Sequence, residues 1–245
     1  MTGLTILGLG KYLPEKVVDN FDFMKIIETS DEWITKRTGV RSRHFSDGEF
    51  TWQMGLKAAK EALKDAQISP EQIDMIIVTT VTSDFYYPSM SNVLQGKLGA
   101  KNAFGIDISC ACAGFVFGLD MAQRYIATDT GVKTVLIVSS ENITKTVDYE
   151  DRSGCILFGD AAGAAVVQAG GERVFSFLGT EGEGADCIYA YNDMPGSVFS
   201  DPEKAEEYQK EFPSEKKKRL YMDGRSTYKF ATRVMPLAME NACKK

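Results

Sequence analysis

Apolar positions along the chain fall into short runs separated by stretches of helical periodicity. Thr5–Leu9 is an apolar run broken by Gly8 and closed by Gly10, and it reads as a first strand. Within Thr51–Ala66, Met54, Ala58, Ala62 and Leu63 recur at helical spacing with charges between them. The run Ile73–Val81 is too continuously apolar for a surface strand and predicts a central strand covered on both faces, as in parallel sheets. Residues 103–109 and 133–140 repeat that pattern. Between them, residues 112–127 are apolar around most of the helix circumference in the first half, which predicts a buried helix. Residues 163–169 and 173–179 predict two more strands. Strands alternating with helices predict an α/β fold with helices covering the sheet.

The pattern changes after residue 200. Twelve of the 19 positions in 201–219 are charged, six of each sign, so the segment reads as a solvated insertion, partly helical around Pro202–Lys210. Residues 216–219 form a local basic cluster within it. Beyond it, Tyr228, Ala231, Val234, Met235, Ala238 and Ala242 fall at helical spacing, with Pro236 expected to kink that helix or start it afresh. A parallel α/β domain normally follows such a helix with another strand, so the sequence reads as unfinished at its C-terminus. No solenoid-period repeat is present.

Composition narrows the function classes. The 245 residues include 28 basic and 34 acidic side chains, a net charge of −6 that argues against a nucleic-acid binder. No apolar run approaches the ~18–20 residues of a membrane span, and the N-terminus lacks a signal-peptide pattern. The five cysteines, an odd number, then predict reduced thiols in a cytoplasmic protein rather than a disulfide framework. His44 is the single histidine, so chemistry requiring two cannot be completed by these residues.

Candidate chemistry concentrates in DISCACAGF, residues 107–115. A strand ends near Ser109 and a helix begins near Cys112. Unpaired N–H groups and the helix dipole favour thiolate at such a position. The same N–H groups could hold an oxyanion formed when the thiolate attacks a thioester. Two buried cysteines acting as small apolar side chains would fit the residues equally. A metal site is disfavoured, because no second Cys/His pair supplies tetrahedral ligands.

The strand followed by ACAGF resembles the nucleophile motif of beta-ketoacyl-acyl carrier protein synthase III, a condensing enzyme of the thiolase superfamily. GLGKYLPEKVVDN (8–20), SDEWITKRTGVRSRH (30–44), FYYPSMSNVLQGKLG (85–99) and DYEDRSGCILFGDAAGAAVV (148–167) are similar to further family segments in the same order. Ala162 stands where the family often has Gly. The resemblance implies a thiolase-like layered α-β-α-β-α fold with its first half complete over 1–170. Residues 171–245 would only begin the second half, with the charged insertion near 191–222.

The implied reaction is acylation of Cys112 by acyl-coenzyme A, then decarboxylating condensation with malonyl-acyl carrier protein, the first condensation of fatty acid synthesis. No cofactor is implied, since the coenzyme A thioester is a substrate. Trp33 and Arg152 match the residues that stack on either side of the coenzyme's adenine, and Arg37 a residue that holds its phosphates. Met222, Gly224 and Tyr228 resemble the pantetheine-channel segment, with Arg225 where many relatives carry Asn. Tyr87 matches an aromatic that the partner subunit of a homodimer places at the end of the acyl pocket. Cys110 is read as structural, and His44 does not match the family's catalytic histidine. That histidine and a catalytic asparagine lie, in the family, beyond the helix on which this sequence stops. Alternatives are another Cys-acylating synthase, of the polyketide-starter or hydroxymethylglutaryl-coenzyme A type, and a non-catalytic coenzyme A-binding or dimerising protein.

Overall fold

A five-stranded sheet organises the chain. The computed structural model describes residues 3–128, 131–191, 197, 199–201, 203–204 and 219–244. In chain order the elements are β1 (Leu4–Tyr12), β2 (Lys16–Asp19), α1 (Asn20–Phe23), α2 (Asp31–Thr38), β3 (Ser42–Phe45) and α3 (Thr51–Ala66). Next come β4 (Met75–Thr79), α4 (Met90–Leu98), β5 (Phe104–Ile108), α5 (Gly114–Ala127), β6 (Thr134–Glu141), α6 (Arg152–Cys155) and β7 (Ala161–Ala169). The chain continues with β8 (Ile188–Tyr189), β9 (Tyr221–Met222) and α7 (Gly224–Cys243).

The strand order is β1-β7-β6-β4-β5. β4 lies between β5 and β6, parallel to both, and every one of its residues is buried, as its unbroken apolar run predicts. The sheet is nevertheless mixed, because β7 runs antiparallel to both β6 and β1. The chain between β6 and β7 holds only a short 3-10 turn and α6, so no covering helix carries it back to the starting end for a parallel return.

Two apolar layers flank the sheet. On one face α3 and α4 bring Met54, Ala58, Ala62, Leu63 and Leu94 against Ile76, Val78, Leu136, Val138 and Val166. β1 approaches α3 so closely that a Cβ on Gly10 would lie 2.1 Å from the Ala58 carbonyl oxygen, which restricts this strand position to glycine. On the other face α5 packs Ala122, Phe115 and Leu119 over Ile77, Val135, Ile137 and Val167. Contrary to the sequence reading, α5 is only half buried. Val116 is 48% exposed, because among the described residues its outer face carries no second apolar layer.

The strand expected over 173–179 does not form. Side chains of α5 satisfy this backbone instead. The Gln123 amide donates to Val174 O and accepts from Val174 N, at 2.9 and 2.8 Å, and Ser176 Oγ reaches Asp120 at 2.5 Å. Helix α7 runs through Pro236 without ending there, and none of its residues is buried. The helix expected around residues 202–210, and residues 216–218 of the basic cluster, lie outside the described residues apart from 203–204, which are helical.

A third apolar cluster sits apart from the sheet. Phe23, Ile34, Val147, Cys155, Ile156 and Leu220 are buried together, with Trp33, Phe45 and Tyr149 packed around them. The β2–β3 ribbon and the short helices α1, α2 and α6 supply most of it. All five cysteines are free thiols. No described helix is long and apolar enough to cross a membrane, and no described group of His, Cys, Asp and Glu could hold a metal ion.

Candidate active site

Cys112 lies on a one-turn 3-10 segment, Ala111–Ala113, between the end of β5 and the first residue of α5. Its side chain is exposed, whereas Cys110 is half-buried and Cys155 buried. Ala111 takes a left-handed backbone, φ +45°, which turns the chain sharply just before the thiol. An alanine in that region stores about 1–2 kcal/mol. Two residues on, Gly114 seats the helix on the sheet: a Cβ there would lie 2.9 Å from Thr79 Cβ. Thr79 in turn shares a 2.6 Å hydrogen bond with Ser139 across β4 and β6. The thiol therefore stands on a turn held directly by the central strands.

The 3-10 turn also decides which amides face a substrate. Ala113 N donates to Cys110 O at 3.1 Å and Gly114 N to Ala111 O, so neither is a free oxyanion donor. The N–H of Cys112 itself makes no hydrogen bond to backbone outside the regular elements among the described residues, and it is the amide left to meet a charge at this point.

Tyr87 lies elsewhere, 87% exposed at the tip of the loop between β4 and α4, with Tyr86 67% exposed and a cis peptide bond to Pro88. The loop is tied at both ends by carboxylates. Glu141 accepts from Val81 N at 2.8 Å and from the hydroxyls of Thr80 and Thr82. Asp107 on β5 accepts from Met90 N and Ser91 N, at 2.6 and 2.8 Å, where α4 begins.

The six residues matched to coenzyme A binding converge. Trp33, Arg37, Arg152, Met222, Gly224 and Tyr228 line one cavity of ≈ 620 Å³, together with Thr38, Ser153, Ile156, Leu157 and Arg225. Cys112 and Tyr87 are not in its lining. Ser30 caps α2 by accepting from Trp33 N, and Gly39, with φ +73°, ends it. This places Trp33 and Arg37 one turn apart. The Arg37 guanidinium lies 4.5 Å and that of Arg152 4.7 Å from the Trp33 ring centroid. Arg152 thus meets Trp33 directly, and a planar ring stacked between them would have to part the pair.

A buried polar frame holds α2 and α6 in register. Asn20 is wholly buried, and its amide donates to Asp31 at the start of α2 and to Val40 O just beyond its end. Arg43, 5% exposed, donates to Asn20 Oδ1 at 2.9 Å and, through Nε and Nη2, to the Ile156 carbonyl at the end of α6. Burial pulls the Arg43 guanidinium below its ordinary value. His44 follows on β3, where its Nδ1 contacts Pro14 O at 2.5 Å.

A sequence profile for 3-Oxoacyl-[acyl-carrier-protein (ACP)] synthase III matches residues 106–183. The chain is 42% identical to the Beta-ketoacyl-[acyl-carrier-protein] synthase III of Clostridium acetobutylicum, over 96% of this chain and 70% of that protein. It belongs to the beta-ketoacyl-[acyl-carrier-protein] synthase III family. The synthase III crystal structure from Aquifex aeolicus VF5 superposes with a TM-score of 0.83 at 37% identity, covering 98% of this chain and 72% of that one. The priming beta-ketosynthase of the R1128 polyketide pathway superposes at 0.80 with 33% identity, covering 94% and 66%. The fold is thiolase-like. The described sheet with its two helical faces supplies three of the layers of that architecture.

Sequence reasoning on this synthase III family member missed the frame. Asn20 ends the segment 8–20 and Arg43 stands in the segment 30–44, and only their burial reveals the role. Ser153, Ile156 and Leu157 carried a weak signal in their spacing from Arg152 on one short helix and the turn after it.

Proposed function

We infer that this family member is an acyltransferase that joins the acyl group of an acyl-coenzyme A to malonyl-acyl carrier protein with loss of carbon dioxide, initiating fatty acid synthesis. The observation that carries the reading is an exposed cysteine on the strand-to-helix turn, inside the residues that match the family profile. The Cys112 thiolate attacks the thioester carbonyl, and its own N–H faces the developing oxyanion. The carbon–sulfur bond to coenzyme A breaks, and the released thiolate takes up a proton. The carbanion left when malonyl-acyl carrier protein loses carbon dioxide then attacks the acyl-Cys112 carbonyl, forming the beta-ketoacyl product and returning the thiolate. No cofactor enters this sequence, because the coenzyme A thioester is itself a substrate.

In this reading the coenzyme's adenine enters the cavity between Trp33 and Arg152, which part to admit it, Arg37 holds its phosphates, and its pantetheine arm passes Met222, Gly224 and Tyr228. Tyr87 serves the acyl pocket of a second copy in a cytoplasmic homodimer. β5 ends the sheet among the described residues, and with the exposed Phe104 and Tyr86 this favours pairing of two copies there. Residues 1–170 form the half that carries the nucleophile, and residues 171–245 belong to the second half.

Intact-mass and peptide analysis after incubation with acetyl-coenzyme A tests the mechanism. Acylation is expected at Cys112, retained in Cys110→Ser and lost in Cys112→Ser. Label persisting in Cys112→Ser would defeat the assignment. The likeness to a priming polyketide ketosynthase supports a second reading, in which the same acyl-Cys112 serves a polyketide carrier protein. Offering the acylated protein both malonylated carriers in competition separates the two.

A further inference from the structure

We propose that Arg225 is a phosphate-recognising residue of the nucleotide cavity. This rests on the coenzyme A reading above. The cavity is lined by three guanidinium groups, those of Arg37, Arg152 and Arg225, and by no carboxylate. Their partners leave this charge largely uncompensated. Arg152 donates to a backbone carbonyl, that of Glu28, at 3.1 Å. Arg37 rests on the Trp33 ring. The Arg225 side chain has no hydrogen bond or ion pair among the described residues, and Asp223 is the carboxylate two positions before it in sequence. That carboxylate is committed elsewhere: it accepts from Arg225 N, Ser226 N and Ser226 Oγ, capping α7.

Three cations lining one cavity with an aromatic ring suit a ligand that carries a planar base and several phosphate groups. Arg37 and Arg152 approach the ring itself from α2 and α6. Arg225 comes from the first turn of α7, beside Gly224 and Met222 in the same lining. It supplies a cation on the side where the chain of the ligand leaves the base. A guanidinium there forms directional, charge-assisted bonds to phosphate oxygens, which a neutral side chain cannot replace. Arg225 therefore makes this site select for the phosphorylated form of its substrate beyond what Trp33, Arg37 and Arg152 provide.

The test is calorimetric titration of the full chain with two probes, coenzyme A and pantetheine, which lacks every phosphate. Arg225 is exposed, so Arg225→Asn and Arg225→Lys are expected to leave the fold intact. Arg225→Asn is expected to weaken coenzyme A binding by about ten-fold, flatten its salt dependence and leave pantetheine binding unchanged. Arg225→Lys is expected to recover part of the loss. Unchanged coenzyme A affinity in Arg225→Asn, alongside a loss in Trp33→Ala, would overturn the role of Arg225 and keep the site. An equal loss for both probes would overturn phosphate recognition. No loss in Trp33→Ala, Arg152→Ala or Arg225→Asn would overturn the cavity's assignment altogether.

Discussion

The thiol turn and the nucleotide cavity are built on different foundations. Cys112 stands on the main sheet, where Gly114 rests on Thr79 of the wholly buried strand β4. The cavity stands on the satellite cluster, where two short helices are held by one buried arginine and one buried asparagine, and on α7, which buries none of its own residues. The first site is positioned by close packing of apolar surface. The second is positioned by hydrogen bonds between a few polar groups. Reactive geometry tolerates little displacement, and ligand capture tolerates more. The division also means that damage to one site should spare the other.

The sharpest way to break the comparison is to lift α5 off the sheet. Gly118→Val would place a Cβ 3.0 Å from Ile137 Cγ2 and add two methyl groups beyond it. It is expected to destabilise the fold by about 1–3 kcal/mol in urea unfolding and to slow acylation of Cys112. Nucleotide binding in the surviving folded fraction should be unaffected.

Arg43→Met attacks the other foundation. It leaves Asn20 Oδ1 and the Ile156 carbonyl without their donor, at a cost of about 1–3 kcal/mol. Hydrogen exchange should rise in α2 and α6 and stay slow in β4 and β6. Coenzyme A affinity should fall while alkylation of Cys112 proceeds at its normal rate. Loss of both together would mean that the two sites share one support.

Thiol reactivity sharpens the contrast at lower amplitude. Burial, with Asp151 nearby, pushes the Cys155 thiol up to about 11. About one such thiol in a thousand is ionised at pH 8. Iodoacetamide at that pH is expected to label Cys112 and to spare Cys155 until the protein unfolds, as peptide mapping would read.

The smallest effect concerns Glu141. Burial raises its carboxyl above the ordinary value, despite the bonds from Thr82 and Val81. The folded state then binds this proton more tightly than the unfolded chain. Its contribution to stability is present below the ordinary carboxylate range and is lost as pH rises through the folded value. Glu141→Gln should flatten the pH dependence of stability across that window.

How much of this was legible in the sequence follows the same division. The runs at 73–81 and 133–140 announced buried strands, because strands covered on both faces leave few polar positions to confuse the pattern. The helix over Thr51–Ala66 was legible to the residue, since its apolar stripe repeats without interruption. Residues 173–179 misled for a physical reason: their alternation is real, but Gln123 and Asp120 satisfy that segment from a helix. The mixed sense of the sheet was hidden because direction depends on how connections travel, and local patterns carry none of that. At the site, Trp33, Arg37 and Arg152 came from motif resemblance, and no periodicity marks them. Asn20 and Arg43 escaped because a buried polar residue resembles an exposed one until its partners, distant in sequence, are known.

Asp107 links two parts of the molecule that the chain keeps apart. It sits five residues before Cys112 on the edge strand, and its carboxylate grips the first two amides of α4. Beyond those amides lies the short tether bearing Tyr86 and Tyr87. One carboxylate thereby fastens the base of the aromatic loop to the strand that ends at the nucleophile.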